Sequence, residues 1–243
     1  MSEIAIIIPS RLSAKRLPGK PLKLINGKEM ILHVYESAKK AKTNNVFVAT
    51  PDQKILNLIE YFGGKAFLTK EKHKTGTDRV FEVYKKKLKK KPKIIVNLQG
   101  DMPNIKPNVI IKLIQHMKKS KCDIGTLASD LNFKKEFFDK NVVKVITNKK
   151  IGKKNFETAL DFSRKINSKP KNIYHHIGIY AFTKKALIKF VNLKRSKLEK
   201  KRNLEQLRAL ENHMKIDVGY VKYSPLSVDT KKDLVEVNRL MKK

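Results

Sequence analysis

The alternation of apolar strands with amphipathic helices over residues 4–118 constrains the fold more than any other feature of the chain. Residues 4–8 are continuously apolar and β-branched, which is typical of a strand buried on both faces of a parallel sheet. Residues 30–41 carry apolar side chains at helical spacing. The same patterns predict strands over 46–50, 66–69 and 94–98 and helices over 53–62, 77–88 and 109–118. This order predicts an α/β fold with a mostly parallel central sheet and helices on both faces.

After Cys122 the alternation weakens and strands predominate. We predict strands over 123–129, 142–147, 159–163, 176–182 and 216–220 and helices over 184–191, 203–212 and 231–241. This half is expected to complete the sheet and to add a smaller antiparallel part. The length of 243 residues allows a single core, so we predict one domain over 1–243 with two parts, 1–121 and 122–243.

The net charge of +34 raises the possibility of a nucleic-acid partner. The excess is nearly all lysine, whereas nucleic-acid readers favour arginine, and the chain has only eight arginines. It has no tryptophan and no clustering of aromatic residues. We therefore interpret the lysine excess as a composition bias on solvated faces and expect no nucleic-acid partner, and a basic nucleic-acid-binding protein is kept as a remote alternative.

The sequence also bears on the cellular compartment. No apolar run approaches the ~20 residues that cross a bilayer, and residues 1–9 are too short for a secretory signal. Cys122 is the single cysteine, so no internal disulfide forms, which fits a reducing compartment. We expect a cytoplasmic protein without membrane insertion.

The loop after the first strand, residues 11–21, holds four cations and a glycine. Ligands of parallel sheets bind at the carboxyl ends of the strands, where this loop lies. Cationic donors and a closely approaching backbone suit a triphosphate, although the spacing is not that of a Walker-type loop. The loop therefore predicts a triphosphate site, and its alternative is an ordinary basic surface loop.

Two aspartates are candidates for a metal site. Asp101 follows the strand 94–98 beside a glycine, where its carboxylate is well placed for Mg²⁺, but it also suits a simple turn before Pro103. Asp229 precedes the closing helix, and sequence alone favours a helix cap over a metal ligand.

Seven segments in order resemble the 3-deoxy-manno-octulosonate cytidylyltransferase (CMP-Kdo synthetase) family and cover nearly the whole chain. They are IAIIIPSRLSAKRLPGKPL at 4–22, HKTGTDR at 73–79, VNLQGDMP at 96–103, DFSR at 161–164, HIGIY at 176–180, LEQLR at 204–208 and VDT at 228–230. The resemblance implies a Rossmann-like nucleotide-diphospho-sugar transferase fold with a smaller antiparallel dimerisation subdomain and a homodimer. It implies transfer of the cytidylyl group of CTP to 3-deoxy-D-manno-octulosonate (Kdo), giving CMP-Kdo and pyrophosphate for lipopolysaccharide synthesis.

The resemblance also implies the roles of individual residues. Lys20, Arg16 and Asp101 would be catalytic, and Asp101 and Asp229 would hold Mg²⁺. The nucleotide would be bound by Arg11, Arg16, Lys20, Gly76, Thr77, Asp78, Arg79 and Gln99. The sugar side would be lined by Arg164, His176, Tyr180, Glu205 and Gln206.

Each sugar-side residue also has a purely structural interpretation. His176 lies in an alternating strand, where packing or hydrogen bonding is more common than catalysis, and Tyr180 suits the core equally well. Glu205 and Arg208 are spaced as a surface ion pair on a helix.

Five positions depart from the family pattern: Ala14 and Lys15 stand where the family usually has Ser-Thr, Met102 replaces a usual glutamate, Thr75 replaces a usual serine and Pro51 replaces an acidic residue. A cytidylyltransferase for amino-substituted Kdo or for a nonulosonate is the alternative function.

Overall fold

The predicted alternation is present in the computed structural model, which describes residues 3–14, 16–41, 43, 45–88, 91–132, 134–166 and 170–242. The strands are β1 (Ile4–Pro9), β2 (Leu24–Ile25), β3 (Lys28–Glu29), β4 (Val46–Thr50), β5 (Ala66–Leu68), β6 (Ile94–Leu98), β7 (Ile124–Ser129), β8 (Lys144–Thr147), β9 (Phe156–Ser163), β10 (Ile173–Thr183) and β11 (Ile216–Tyr220). The helices are α1 (Met30–Lys39), α2 (Gln53–Tyr61), α3 (Gly76–Lys86), α4 (Pro107–Lys119), α5 (Lys184–Asn192), α6 (Lys197–Arg202), α7 (Leu207–Glu211) and α8 (Lys231–Met241).

The chain divides into two units. Unit 1 comprises Met1–Ile111 with Pro225–Lys243, and unit 2 comprises Lys112–Ser224. The closing helix α8 thus belongs with the N-terminal strands, whereas the division of the sequence at 121 and 122 had assigned it to the second part. None of the described helices is long and apolar enough to cross a bilayer.

Unit 1 contains four parallel strands in the order β5-β4-β1-β6. Every residue of β1 is buried, as its continuous apolar sequence predicts. Ile6 pairs with Val46 on one side and with Val96 on the other, which fixes the register of β4, β1 and β6. Because the strands are parallel, the segments after Pro9, Thr50 and Leu98 leave from the same edge of this sheet.

A small hairpin, β2–β3, fastens the first loop of unit 1 to α8. Its turn is Asn26-Gly27, with φ angles of 49° and 81°, which is the pairing that two-residue hairpins favour. The backbone N–H of Asn26 donates to Asn238 Oδ1 of α8 at 2.9 Å. The first loop, the hairpin and α8 contribute to one apolar cluster, which consists of Leu17, Ile25, Met30, Val228 and Val237. This cluster is the reason that the C-terminal segment joins unit 1.

Unit 2 is a ring of five strands in the order β10-β7-β11-β9-β8, in which β8 also pairs with β10. The pair β7–β11 is parallel and the other pairs are antiparallel. A register shift interrupts β10 between Ile177 and Tyr180. Unit 2 is therefore a mixed sheet, in which the antiparallel pairing that the sequence predicted is accompanied by one parallel pair, β7–β11.

The helix predicted over 203–212 is confirmed only in its second half, where α7 covers Leu207–Glu211, and the preceding short helix α6 was not predicted. Helix α6 starts with a capping box between Ser196 and Glu199 and ends at Asn203, whose φ of 53° is left-handed. A left-handed residue cannot continue a helix, so α7 begins separately after Gln206.

Candidate active site

The first loop of unit 1 is shaped largely by its own backbone. Gly19 adopts a φ of 67°, which favours glycine, and its N–H donates to Leu12 O at 3.0 Å. The N–H of Leu12 in turn donates to Asp52 Oδ2 at 2.9 Å, so a carboxylate at the end of β4 anchors the loop. A short 3₁₀ helix over Lys20–Leu22 follows and directs Lys20 inward, with its side chain only 14% exposed. The departure at Lys15 lies outside the described residues.

Lys20 meets both predicted metal ligands. Its Nζ lies 3.0 Å from Asp101 Oδ2 and 3.1 Å from Asp229 Oδ1. Arg16 Nη2 lies 2.7 Å from the other oxygen of Asp229, Oδ2. Four residues whose roles rest on the family resemblance are thus brought into one cluster of two cations and two carboxylates, which we call the charge cluster.

Backbone contacts position the two carboxylates of the charge cluster. The N–H of Val228 donates to Asp101 O at 2.9 Å, which brings the residue before Asp229 against the loop after β6. Gly100 lets the loop after β6 lie close to the end of β1, because a Cβ there would lie 3.2 Å from Pro9 O. The site is therefore assembled from segments that are distant in sequence.

The expectation that Asp229 caps the closing helix is wrong. The cap of α8 is Thr230, whose Oγ1 accepts from the N–H of Asp233 at 3.3 Å, while the Asp233 carboxylate accepts from the N–H of Thr230 at 2.8 Å. This capping box satisfies the helix end without Asp229. The carboxylate of Asp229 contacts Lys20 and Arg16 instead.

The two carboxylates also decide the ionisation of Lys20. Burial lowers the pKa of Lys20, but Asp101 and Asp229 outweigh it and hold the pKa above its ordinary value of 10.5. Two carboxylate oxygens within 3.1 Å of one cationic atom can both reach a single divalent cation. Oxygen donors of this kind, completed by water and phosphate oxygens, are the ligand set of Mg²⁺. The residues present therefore fit this metal.

Residues 76–78 form the first turn of α3 at the carboxyl edge of the sheet. Thr75 is the N-cap, and its Oγ1 accepts from the N–H of Asp78 at 3.2 Å. The Asp78 carboxylate accepts from the N–H of Thr75 at 3.0 Å, so Asp78 completes a capping box. Gly76 lies beside Gln99, and a Cβ on Gly76 would come within 3.4 Å of the Gln99 amide.

Amide side chains connect this helix to β6. Asn97 Nδ2 donates to Thr77 Oγ1 at 3.0 Å, and Gln99 Nε2 donates to Asn97 Oδ1 at 2.8 Å. Thr77 and Asn97 are fully buried and Gln99 is partly exposed. The chain of hydrogen bonds holds the Gln99 amide at the edge where the nucleotide is predicted to bind.

Arg79 is buried against a loop of unit 1. Its guanidinium donates to Thr69 Oγ1, to Lys70 O at 3.0 Å and to Glu71 O at 3.1 Å. Burial and the charge of Arg11 lower the pKa of Arg79. Arg11 itself is exposed at the start of the first loop.

On the sugar side, His176 and Tyr180 are both buried in unit 2, and their rings lie 5.4 Å apart. Thr126 Oγ1 donates to Ile179 O at 2.7 Å and lies 3.0 Å from His176 Nε2. Because that hydroxyl has one hydrogen, His176 Nε2 must be the donor to it, which leaves Nδ1 as the acceptor of the neutral ring. Burial lowers the pKa of His176 to about 3 and raises that of Tyr180 well above 10.

Arg164 follows β9 and is partly exposed. Its guanidinium donates to Lys140 O at 3.1 Å and to Asn141 O at 2.8 Å. Gln206 is buried before α7, and the adjacent Glu205 is partly buried. All five predicted sugar-side residues thus lie in unit 2, and all the predicted nucleotide and metal residues lie in unit 1.

The expectation of an exposed surface pair at Arg208 is wrong. Arg208 is 3% exposed, and its Nη2 and Nε lie 2.7 Å and 2.9 Å from the two carboxylate oxygens of Glu199. Its guanidinium also stacks over Phe190, 4.5 Å from the ring centre. Glu199 accepts a further hydrogen bond from Arg195. Burial raises the pKa of Glu199, but these arginines outweigh it and lower the pKa.

Three residues that support the site were not identified from the sequence. The carboxylate of Asp52 holds the first loop, and its position at the carboxyl end of a strand was the available signal. Lys144 is completely buried at the start of β8, and a lysine between the apolar residues 142–143 and 145–146 was the signal there. Thr126, which orients His176, carries no signal of its own in the sequence.

Among the described residues, one group of three metal-ligating side chains occurs outside the charge cluster: His116, Cys122 and Asp217 of unit 2. Asp217 accepts from His116 Nε2 at 2.9 Å and from the Ser120 hydroxyl at 3.0 Å. Burial raises the pKa of the Cys122 thiol to about 11, so it is protonated. These hydrogen bonds account for the group without a metal.

Comparison with known proteins agrees with the geometry. The sequence profile of the family described as "Cytidylyltransferase" matches residues 5–216. The 3-deoxy-manno-octulosonate cytidylyltransferase of Thermodesulfovibrio yellowstonii is 44% identical over 94% of each chain, and that of Bartonella henselae is 41% identical over 98% of each chain. A solved structure of CMP:2-keto-3-deoxy-manno-octonic acid synthetase complexed with CTP has a TM-score of 0.88 and 36% identity, covering 99% of this chain and 98% of its own.

Proposed function

The chain belongs to the cytidylyltransferase family, and we propose that it transfers the cytidylyl group of CTP to Kdo, giving CMP-Kdo and pyrophosphate. It is a nucleotidyltransferase with the α/β fold of that class. CMP-Kdo is the activated form of Kdo for lipopolysaccharide synthesis, which the names of the relatives support. The cytoplasmic location, the homodimer and the dimerisation subdomain stay predictions.

The observation that carries the proposal is the charge cluster, Arg16, Lys20, Asp101 and Asp229. Lys20 lies 81 residues from Asp101 and 209 residues from Asp229 in sequence, yet all three share one set of ion pairs. Backbone hydrogen bonds and a buried apolar cluster hold these segments together. Cations next to a pair of carboxylates are the groups that a magnesium-bound triphosphate requires.

In the reaction, the anomeric hydroxyl oxygen of Kdo bonds to the α-phosphorus of CTP as the bond from that phosphorus to the bridging oxygen breaks. Pyrophosphate leaves, and the hydroxyl proton passes to water. Such transfers depend mainly on positioning and on stabilisation of charge. Arg16 and Lys20 offset the charge that develops on the leaving pyrophosphate. We assign no protein side chain as a general base.

Mg²⁺ would be held by Asp101 and Asp229. When bound, it would supply positive charge that offsets the phosphate charge and lowers the pKa of the attacking hydroxyl. The ammonium of Lys20 contacts the same two carboxylates, so it competes with the metal for them in the absence of substrate. Arg16 is 54% exposed at its side chain and is accessible to a phosphate.

On the sugar side, an acidic sugar needs a cation for its carboxylate and neutral groups for its hydroxyls. Arg164 supplies the cation, and His176, Tyr180 and Gln206 supply hydrogen-bonding groups. Burial keeps both His176 and Tyr180 neutral at pH 7, so they bind hydroxyls and do not compete for the carboxylate. Glu205 adds an acceptor for a sugar hydroxyl.

A pyrophosphate-release assay with CTP and Mg²⁺ tests the proposal on Kdo, an amino-substituted Kdo and a nonulosonate. We expect pyrophosphate release with Kdo and a large loss of this release in Asp101→Asn. A contaminating enzyme would give the same release in both preparations. Release with another of the sugars and none with Kdo would replace the substrate and keep the reaction. No release with any of them, from protein that is folded by circular dichroism, would refute the proposed function.

A further inference from the structure

Lys144 is a charged residue whose side chain is completely buried. It lies in β8 with none of its surface exposed, among the largest fully buried side chains of the described residues. Removing an ammonium from water is unfavourable, and burial accordingly lowers its pKa. An aliphatic side chain of similar length would fill a strand interior without this penalty.

The ammonium of Lys144 donates hydrogen bonds to two backbone carbonyls. Its Nζ donates to Asp139 O at 2.6 Å and to Arg164 O at 2.9 Å. The pairing of Lys144 with Ser163 in neighbouring strands sets the direction in which the side chain reaches the end of β9. Lys144 therefore holds the backbone of Arg164, the predicted ligand of the sugar carboxylate.

The side chain of Arg164 joins the same two segments from the opposite direction. Its guanidinium donates to the carbonyls of Lys140 and Asn141, next to the residue that Lys144 binds. The two cations thus link the segment 139–141 to the end of β9 in both directions. On its other side, β8 pairs with β10. Val143, just before β8, accepts a hydrogen bond through its carbonyl from the N–H of the sugar-side residue His176 at 2.9 Å.

We propose that Lys144 is a positioning residue for the acidic sugar, which sets the backbone of Arg164 and the segment 139–141 so that the guanidinium is oriented for a carboxylate. The inference rests on the proposed function of the sugar side. The buried charge of Lys144 also adds positive potential beside Arg164, which favours an anionic sugar over a neutral one.

The chain offers a matched control in the same unit. Lys112 Nζ also donates to two backbone carbonyls, those of Lys153 and Tyr220, and burial also lowers its pKa. Its partners are not sugar-side residues. Replacing each lysine by methionine removes two hydrogen bonds to backbone carbonyls and one charge in both variants, so a loss common to both reflects these and not the position of Arg164.

The test measures KM for Kdo and for CTP in Lys144→Met and Lys112→Met. We expect Lys144→Met to raise the KM for Kdo roughly 10- to 100-fold, as displaced positioning groups do, with the KM for CTP unchanged. Lys112→Met is expected to change neither. The double variant Lys144→Met/Arg164→Gln is expected to bind Kdo no worse than Arg164→Gln alone, because the two residues act as one unit. Equal changes in the two lysine variants, or additive losses in the double variant, would overturn the proposal.

Amide hydrogen exchange separates this proposal from the proposed function. In Lys144→Met, exchange at residues 139–141 and 164–165 is expected to accelerate more than in the rest of unit 2. If the wild type uses another acidic sugar, the kinetic test is run with that sugar. If it uses none, the proposed function fails, and unchanged exchange in these two segments would then also refute the bracing of Arg164 by Lys144.

Discussion

The two units present polar groups to their predicted ligands in opposite ways. In unit 1 the charge cluster is partly exposed and its cations are paired with its own carboxylates. In unit 2 the hydrogen-bonding groups, His176 and Gln206 among them, are buried, and the cations Arg164 and Lys144 bind backbone carbonyls.

The difference follows from what each side has to bind. A triphosphate with a metal brings its own charges, so the pairs of unit 1 can be exchanged for contacts with the ligand. A sugar presents hydroxyls that distinguish it from other sugars, and buried, fixed donors and acceptors reject a molecule that leaves them unpaired. Substitutions in the charge cluster of unit 1 should therefore alter turnover with little effect on stability, whereas those at the buried sugar-side residues of unit 2 should alter both.

The largest effect is expected at the buried ion pair of unit 2. Arg208→Met leaves the Glu199 carboxylate buried without its main partner, so the free energy of unfolding should fall by about 3–5 kcal/mol. Chemical denaturation measures this loss. Lys201→Met on the neighbouring, exposed surface is the control and should change it by less than about 0.5 kcal/mol. A small loss in Arg208→Met would contradict the buried character of unit 2.

The second effect tests unit 1. Asp101→Asn keeps the shape of the side chain but removes one of the two carboxylates that contact Lys20. We expect kcat to fall about 100-fold, which corresponds to ~3 kcal/mol of barrier, while the melting temperature stays within about 2 °C. Steady-state kinetics at saturating Mg²⁺ together with a thermal melt provide the two values. Near wild-type turnover would remove Asp101 from the metal site.

The third prediction concerns pH and the buried histidine of unit 2. The pKa of His176 is about 3 in the folded state and about 6.5 when unfolded, so the unfolded state binds more protons between these values. Stability is therefore complete above pH 6.5 and falls as the pH decreases below it, by about 2 kcal/mol at pH 5 from this group. His176→Gln should lose less stability than the wild type between pH 7 and pH 5 in denaturation curves. Parallel losses in both proteins would show that His176 is not neutral in the folded state.

The smallest effect on stability is expected at Asp233, and it distinguishes the role of this carboxylate from that of the neighbouring Asp229 in unit 1. Asp233→Ala removes half of the capping box of α8 and should cost about 1 kcal/mol of stability, with turnover retained within a few fold. Asp229→Asn should do the opposite, because its carboxylate belongs to the charge cluster and not to the cap. If Asp233→Ala abolished turnover while Asp229→Asn retained it, the assignment of the two roles would have to be reversed.

Much of the fold was predictable because its signals are local. The strands Val46–Thr50, Ile94–Leu98 and Ile216–Tyr220 and the helix Lys231–Met241 have the bounds that hydrophobic periodicity predicts. The β2–β3 hairpin was missed, although Asn26-Gly27 is a strong turn signal, because strands of two residues have no periodicity of their own.

The candidate site was predictable only in part. The family resemblance named Lys20, Asp101 and Asp229, and the structure brings these side chains together, while their catalytic roles stay predictions. The partners of Arg208 and Lys144 were not predictable, since Glu199 and the carbonyls of Asp139 and Arg164 meet them only after the chain has folded. A charged residue in sequence does not reveal whether burial will force it to find such a partner.

The sequence by itself determined the order of strands and helices, the loop that follows β1 and the residue types available for phosphate, metal and sugar. These properties depend on neighbours within a few positions of the chain, where periodicity and turn chemistry act. Only the tertiary structure decided that Thr230 caps α8 and leaves Asp229 to meet Lys20, and that Lys144 is buried against Arg164. Those outcomes depend on which distant segments pack together, because a polar group takes its partner from whatever the fold brings within hydrogen-bonding distance.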